Sequence, residues 1–315
     1  MSFEAAVTRL SRFADDDVVV GDCWEFGSQK WQHVVMDTRR AWLAVSLVDL
    51  TNLNDECTND DVDTLCARAI VAGTAAVCVW PDFVARAAAT LDGHPPAVAT
   101  VVNFPTGDER TFATSLIVDR ALEDGADEID VVLPYRSFIA GERVRSGLLL
   151  AAVRAATEGS AVMKVILETG ELADESMIAA ASEFAIDHGA DFLKTSTGRS
   201  PVSATPEAVA AMLGKIEHAG RPVGLKVSGG LRTAADAETY LSLAESVMGE
   251  SYLDRSTFRL GASSLLDALL GVEDAAGLAK DDRSDLPDPV SPVDGSGDQP
   301  VDRSPGQPVD QSFDG

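Results

Sequence analysis

Hydrophobic positions along this chain fall into a rhythm that begins near residue 41 and holds to about residue 272. Short apolar, β-branched runs alternate with longer amphipathic stretches, the signatures of buried strands and surface helices. The runs predict strands over 42–49, 74–79, 97–103, 127–133, 161–168, 190–195, 222–227 and 257–261. Helices are predicted between them near 58–72, 82–91, 109–124, 142–158, 172–188, 205–218, 233–247 and 263–271. Eight strands each followed by a helix make an α/β chain of the (β/α)8, or TIM barrel, class. An internal echo supports the repeat. Asp124-Gly125-Ala126-Asp127 and His188-Gly189-Ala190-Asp191 each close a helix on glycine and open a strand, two βα units apart. An open doubly wound sheet would carry fewer strands and a G-x-G-x-x-G turn, which the sequence lacks.

The flanks break the rhythm, so the chain divides into an N-terminal extension (1–40), the barrel (41–272) and a tail (273–315). In the extension Phe3, Val7, Leu10 and Phe13 share a helical face, Val18-Val19-Val20 reads as a strand, and Trp24 and Trp31 are expected to pack on the barrel. The tail is rich in Asp, Pro, Ser and Gly, and repeats Pro-Val-Asp at 292, 300 and 308. It is too poor in apolar residues to offset its ordering entropy and is expected to be a disordered, acidic, solubilising segment.

Charge narrows the function. A net charge of −26 over 315 residues excludes nucleic-acid binding through a basic surface. A lysine-poor, acid-rich surface suits concentrated salt, where screening suppresses self-repulsion, and a halophile-like surface is the expectation. No apolar run reaches membrane-spanning length and no signal-like segment opens the chain, so a cytoplasmic protein without membrane association is expected. Cys23, Cys57, Cys66 and Cys78 match no zinc spacing and are read as free thiols. No histidine follows a predicted strand, which argues against a His-based metal site; neither a metal nor another cofactor is called for.

Within that lysine-poor chain, Lys164, Lys194 and Lys226 sit inside apolar strand-like runs. Burying an ammonium costs several kcal/mol unless it is paired or neutral, so lysines so placed point to chemistry. Active sites of (β/α)8 barrels lie at the C-terminal strand ends. Read off in order, those ends carry Asp49 with Thr51 and Asn54, then Cys78, Asn103, Asp130, Lys164 with Glu168, Lys194, Lys226, and finally Gly261, Ser263 and Ser264. Neighbouring strands lie about 4.8 Å apart, which brings Lys226 within reach of Lys194. A second cation and partial desolvation lower an amine's pKa and free it to attack a carbonyl, and Asp130 is placed to relay protons. Cys78 is expected as a small buried hydrophobe beside the pocket. After the last three strands, Gly198-Arg199, Ser228-Gly229-Gly230 and Gly261-Ala262-Ser263-Ser264 stand where barrels frequently hold phosphate. The expected substrate is a small phosphorylated carbonyl compound.

These stretches resemble the deoxyribose-phosphate aldolases, class I aldolases that work through a lysine Schiff base. The resemblance runs in order from about residue 43 to 270. It is carried by Val48-Asp49-Leu50-Thr51-Asn52-Leu53-Asn54, Ala75-Ala76-Val77-Cys78-Val79 and Gly125-Ala126-Asp127-Glu128-Ile129-Asp130-Val131-Val132. It continues through Lys164-Val165-Ile166-Leu167-Glu168-Thr169-Gly170 and Phe192-Leu193-Lys194-Thr195-Ser196-Thr197-Gly198. Gly224-Leu225-Lys226-Val227-Ser228-Gly229-Gly230-Leu231-Arg232-Thr233 and Gly261-Ala262-Ser263-Ser264-Leu265 complete it. It implies reversible cleavage of 2-deoxy-D-ribose 5-phosphate to acetaldehyde and D-glyceraldehyde 3-phosphate. Lys194 would be the Schiff-base lysine, Lys226 would lower its pKa, and Asp130 would transfer protons. Asp49, Thr51, Asn54 and Cys78 would line the pocket; Thr197, Gly198, Arg199, Gly229, Gly230, Ser263 and Ser264 would surround the phosphate. The only partners implied are the phosphosugar and a second copy in a homodimer. Some members of the family end in a tyrosine that moves a proton at the enamine carbon. This tail has no tyrosine, and its nearest candidate is Phe313. An aldolase for another phosphosugar and a catalytically silent phosphosugar sensor are the alternative readings, and the intact Lys194, Lys226 and Asp130 speak against the second.

Overall fold

The computed structural model describes residues 21–26, 29–33, 36–172 and 174–275, with side chains over 36–172 and 174–272. The helix and strand expected within 3–20 lie outside the described residues, as does the tail expected over 273–315 from residue 276 on; residues 273–275 close the last helix.

Ten strands and ten helices occupy the described residues. Strands β1 (Gly21–Phe26) and β2 (Gln29–His33) pair as an antiparallel hairpin with Trp24 opposite Trp31. Helix α1 is Thr38–Ser46, and strand β3 is Val48–Asn52. The alternation then runs α2 (Asn59–Ala72), β4 (Ala76–Val79), α3 (Val84–Leu91), β5 (Ala97–Val102), α4 (Thr111–Glu123) and β6 (Glu128–Val132). It continues with α5 (Tyr135–Ile139), α6 (Arg143–Thr157), β7 (Val162–Ile166), α7 (Glu175–Asp187), β8 (Phe192–Lys194) and α8 (Pro206–Ile216). It ends with β9 (Gly224–Ser228), α9 (Ala234–Met248), β10 (Phe258–Ala262) and α10 (Leu265–Ala275). Strands β3 to β10 close into one parallel barrel, β10 pairing with β3. The expected class is therefore present, with all eight expected helices and, from 74–79 onward, the seven later expected strands.

The first expected strand needs correction. Residues 42–49 are not one strand: Thr38–Ser46 is helical and the strand starts at Val48. Asp37 caps the helix by accepting the Arg40 amide at 2.7 Å, and Ala41, Ala44 and Val45 form its buried face at helical spacing. An unbroken apolar run does not distinguish a buried helix from a buried strand. This helix packs on α10 and α9, so it belongs to the barrel's outer ring. The short α5 between β6 and α6 was also not anticipated.

The echo has a structural cause. Gly125 and Gly189 adopt positive φ (97° and 85°) to end their helices, and each following aspartate accepts a strand amide. Asp127 takes the Val98 N–H and Asp191 the Met163 N–H, both at 2.8 Å. Each turn thereby pins a new strand to the one before it, which fixes register. Outside the sheet, residues such as Val48, Leu50, Val165, Leu225, Phe258 and Leu260 meet the helices in one continuous apolar core.

Candidate active site

The other side-chain row of the strands faces the barrel axis, and along its lower and middle part it is charged, with Lys194 at the end of its strand. Register places the members side by side: Asp130 opposite Lys164, Lys194 opposite Lys226, Lys226 opposite Arg259, and Gly261 opposite Asp49. All these charged side chains are buried, Lys194 being 4% exposed.

Asp130 is the hub. Its Oδ2 accepts from Lys194 Nζ and from Lys226 Nζ, both at 2.8 Å, and its Oδ1 accepts from Lys164 Nζ at 2.9 Å. Lys226 also lies 2.5 Å from Asp49 Oδ2, a close ionic contact without hydrogen-bond geometry, which leaves that oxygen without a hydrogen bond. Lys164 donates to Glu128, and Arg259 bridges Asp49 at 2.6 Å and Glu128 at 2.9 Å. Gly261 clears the way for this packing: a Cβ there would stand 3.0 Å from Lys226 Cε and 2.9 Å from Ser228 Cβ.

These contacts sort the three lysines. Burial lowers the Lys194 pKa; Asp130 opposes that, and Lys226 lowers it again, so the net shift is downward. Burial also works against Lys226 and Lys164, but Asp130 with Asp49 holds Lys226 well above the usual lysine range, and Asp130 with Glu128 raises Lys164. Asp130 is buried too, yet three lysines keep it ionised far below its ordinary range. Of the three amines, Lys194 is the one biased towards its neutral, nucleophilic form.

The remaining expected residues divide. Cys78 is fully buried in a small cluster with Ala99 and Val101, and burial raises its thiol pKa, as a packing role requires. Asp49 is wholly buried in the ionic cluster, in contact with Lys226 and Arg259. Thr51 is half-buried and donates to the Asp49 carbonyl at 2.9 Å, while Asn54 is exposed beyond the strand end.

The turns after β8 and β9 meet. Thr195 Oγ donates to the Ser228 carbonyl at 3.0 Å and accepts the Ser228 N–H at 2.9 Å, and Ser228 Oγ donates to the Ser196 carbonyl at 2.6 Å. Gly198 and Gly229 hold positive φ (78° and 85°), and a Cβ on Gly229 would come 3.4 Å from Gly198 Cα and 2.5 Å from Ser203 Oγ. Gly230 follows with a third positive φ and open space above it. Thr197 is half-buried, and Ser263 and Ser264 stand exposed just ahead of α10. Arg199 does not turn inward: its guanidinium donates to the Leu53 carbonyl at 2.5 Å and to Asp55 at 3.0 Å, strapping the β8 turn to the loop after β3.

Glu128 and Arg259 were missed from the sequence, although both are charges inside apolar strands, the same signal that singled out the lysines. Glu168 has φ 56°, unusual for a non-glycine residue, and its carboxylate accepts the Thr197 amide at 3.2 Å. Burial raises its pKa. Nothing in the sequence marks the serine and threonine ties. Among the described residues, no group of three His, Cys, Asp or Glu side chains is placed to hold a metal ion.

Comparison with known proteins agrees with this geometry. The model of a family described as DeoC/LacD family aldolase matches residues 43–271. A curated deoxyribose-phosphate aldolase from Agrobacterium fabrum is 49% identical over 235 residues, covering 74% of this chain and 91% of that protein. Two solved structures carry a provisional deoxyribose-phosphate aldolase designation. One, from Toxoplasma gondii ME49, superposes with a TM-score of 0.69 at 27% identity, over 77% of this chain and 98% of its own. The other, from Coccidioides immitis, gives 0.66 at 27% identity, over 87% and 98%.

Proposed function

The chain belongs to the DeoC/LacD aldolase family, and we propose that Lys194 is the amine through which it works. It is a class I aldolase that cleaves 2-deoxyribose phosphate by a retro-aldol reaction. The observation that carries the assignment of the nucleophile is the asymmetry among the lysines. Of Lys164, Lys194 and Lys226, it is Lys194 whose pKa is lowered, and it retains slight exposure.

In this reading the neutral Lys194 amine adds to the C1 aldehyde of the open-chain sugar, and the carbinolamine loses water to give an iminium. Asp130, within 2.8 Å of Nζ, carries protons during both events. Transfer of the C3 hydroxyl proton to water then breaks the C2–C3 bond. C3 becomes the aldehyde of glyceraldehyde 3-phosphate, and the bonding electrons pass to C2, leaving an enamine on Lys194. Protonation at C2 and hydrolysis release acetaldehyde and regenerate the amine. Lys226 stays charged throughout, repelling a proton from Lys194. The phosphate rests on Thr197, Gly198, Gly229, Gly230, Ser263 and Ser264 beside the N-terminus of α10. Arg199, already tied to Asp55, braces this wall and supplies long-range positive charge. A cytoplasmic homodimer completes the proposal, and its mass in sedimentation equilibrium tests the assembly.

Borohydride reduction in the presence of acetaldehyde, followed by peptide mass mapping, tests the nucleophile. The expected result is one ethyl adduct, on Lys194; an adduct confined to Lys164 or Lys226, or none, defeats the assignment.

A further inference from the structure

The ionic cluster contains more charge than the chemistry uses. Asp49, Glu128 and Asp130 face Lys164, Lys226 and Arg259 in the buried barrel interior, with Lys194 at its upper edge. Among the groups paired directly with one another, three carboxylates balance three cations, and a proton on Lys194 adds a fourth positive charge to that set. Such an imbalance is costly in a site shut off from water.

The contacts show which cation yields. Lys164 has Glu128 and Asp130 as partners, with Asp49 at 3.8 Å; Lys226 has Asp49 and Asp130; Arg259 has Asp49 and Glu128 and does not deprotonate. Lys194 has Asp130 alone, and shares it with both other lysines. We propose that Glu128 and Arg259, neither of which touches the reacting amine, are positioning residues that set the charge of this cluster so that Lys194 is the member left without a proton. This rests on the reading of Lys194 as the nucleophile.

The route is through shared partners. Arg259 shares Asp49 with Lys226 and Glu128 with Lys164, and both lysines also draw on Asp130, which leaves less of its charge for Lys194. Without Arg259, Asp49 and Glu128 serve those two lysines alone, and more of the Asp130 charge is free to hold a proton on Lys194. Without the Glu128 charge, Lys164 leans harder on Asp130, and Lys194 loses its proton more readily. The other titratable groups facing Lys194 are Cys78 on β4 and Glu168 beyond β7, and neither pairs with Glu128 or Arg259.

Because an amine attacks only when neutral, the acid limb of the kcat/KM–pH profile reports this proton. R259M is expected to move that limb to higher pH by about one unit, and E128Q to move it to lower pH. R259K, which keeps the charge, and the double variant E128Q/R259M, which restores the balance, are expected to stay at the parental midpoint. A purely structural role would lower activity in both single variants without opposite displacements. Movement of both in one direction, or of neither, overturns the proposal. R259M strands two buried carboxylates; should it fail to fold, E128Q, which keeps the shape and an acceptor, decides alone, and an unmoved or raised limb overturns the proposal. Borohydride trapping separates the two ideas. An adduct missing from Lys194 in the parent chain defeats the nucleophile assignment, whereas an adduct present in every variant with unmoved midpoints defeats only the roles of Glu128 and Arg259.

Discussion

Each barrel strand carries two rows of side chains that meet opposite surroundings. The outward rows of β9 and β10, Leu225 and Val227 with Phe258 and Leu260, are buried against helices. The inward rows of the same strands, Lys226 and Ser228 with Arg259 and Gly261, are buried against charge. Both rows are buried, so exposure alone does not separate structure from chemistry. The difference lies in how the energy is organised. Apolar contacts are non-directional and tolerate volume-conserving exchange, whereas a buried ion is stable only with its partners in place. The outer row holds the barrel closed; the inner row determines which amine is free.

Substitutions on the two rows should therefore fail differently. Lys194→Ala is expected to cut kcat/KM by about 10⁴-fold or more while the thermal midpoint is retained. Residual turnover within tenfold of the parent chain would show that another amine serves. On the outer row, Leu260→Ala should lower unfolding free energy by about 3 kcal/mol in denaturant titration, and leave the pH profile of the surviving folded enzyme unchanged. A displaced profile there would mean that the two rows are coupled. Lys226→Leu removes the cation beside Lys194, so its pKa rises and less neutral amine remains at pH 7. The expected loss is about 10²-fold at neutral pH, recovering as pH rises past the new midpoint. A loss independent of pH would count against an electrostatic role. Smallest is Thr58→Ala, which removes the capping box that the exposed Thr58 forms with Asp61 on α2. It should cost about 1 kcal/mol of stability and nothing in turnover.

Much of this was legible in the chain. Lys194, Lys226 and Asp130 stood out because a charge inside an apolar run is rare, and the strand count told which mouth they would share. The same rule would have found Glu128 and Arg259, had it been applied to acids and to arginine. Residues 42–49 misled because the run is apolar almost throughout, which hides its helical period, and only Asp37 ahead of it marked a helix start. Arg199 was grouped with the phosphate turns by its neighbours in sequence, but its partners, Leu53 and Asp55, lie about 145 positions away. Local spacing carries no information about a contact of that kind.

The sequence by itself determined the barrel and the place of Lys194 on its sixth strand. Both follow from signals written along the chain: periodicity, glycine-ended helices, and the repeated Gly-Ala-Asp turn whose aspartate ties β6 to β5 and β8 to β7. What only the tertiary structure decided is the sharing of partners. Asp130 meets lysines 34, 64 and 96 residues away, and Arg259 reaches back 131 residues to Glu128 and 210 to Asp49. Closing β10 against β3 brings the last strand's arginine to the first strand's aspartate. Only after that closure are the carboxylates divided among the cations, leaving Lys194 with the weakest claim on a proton.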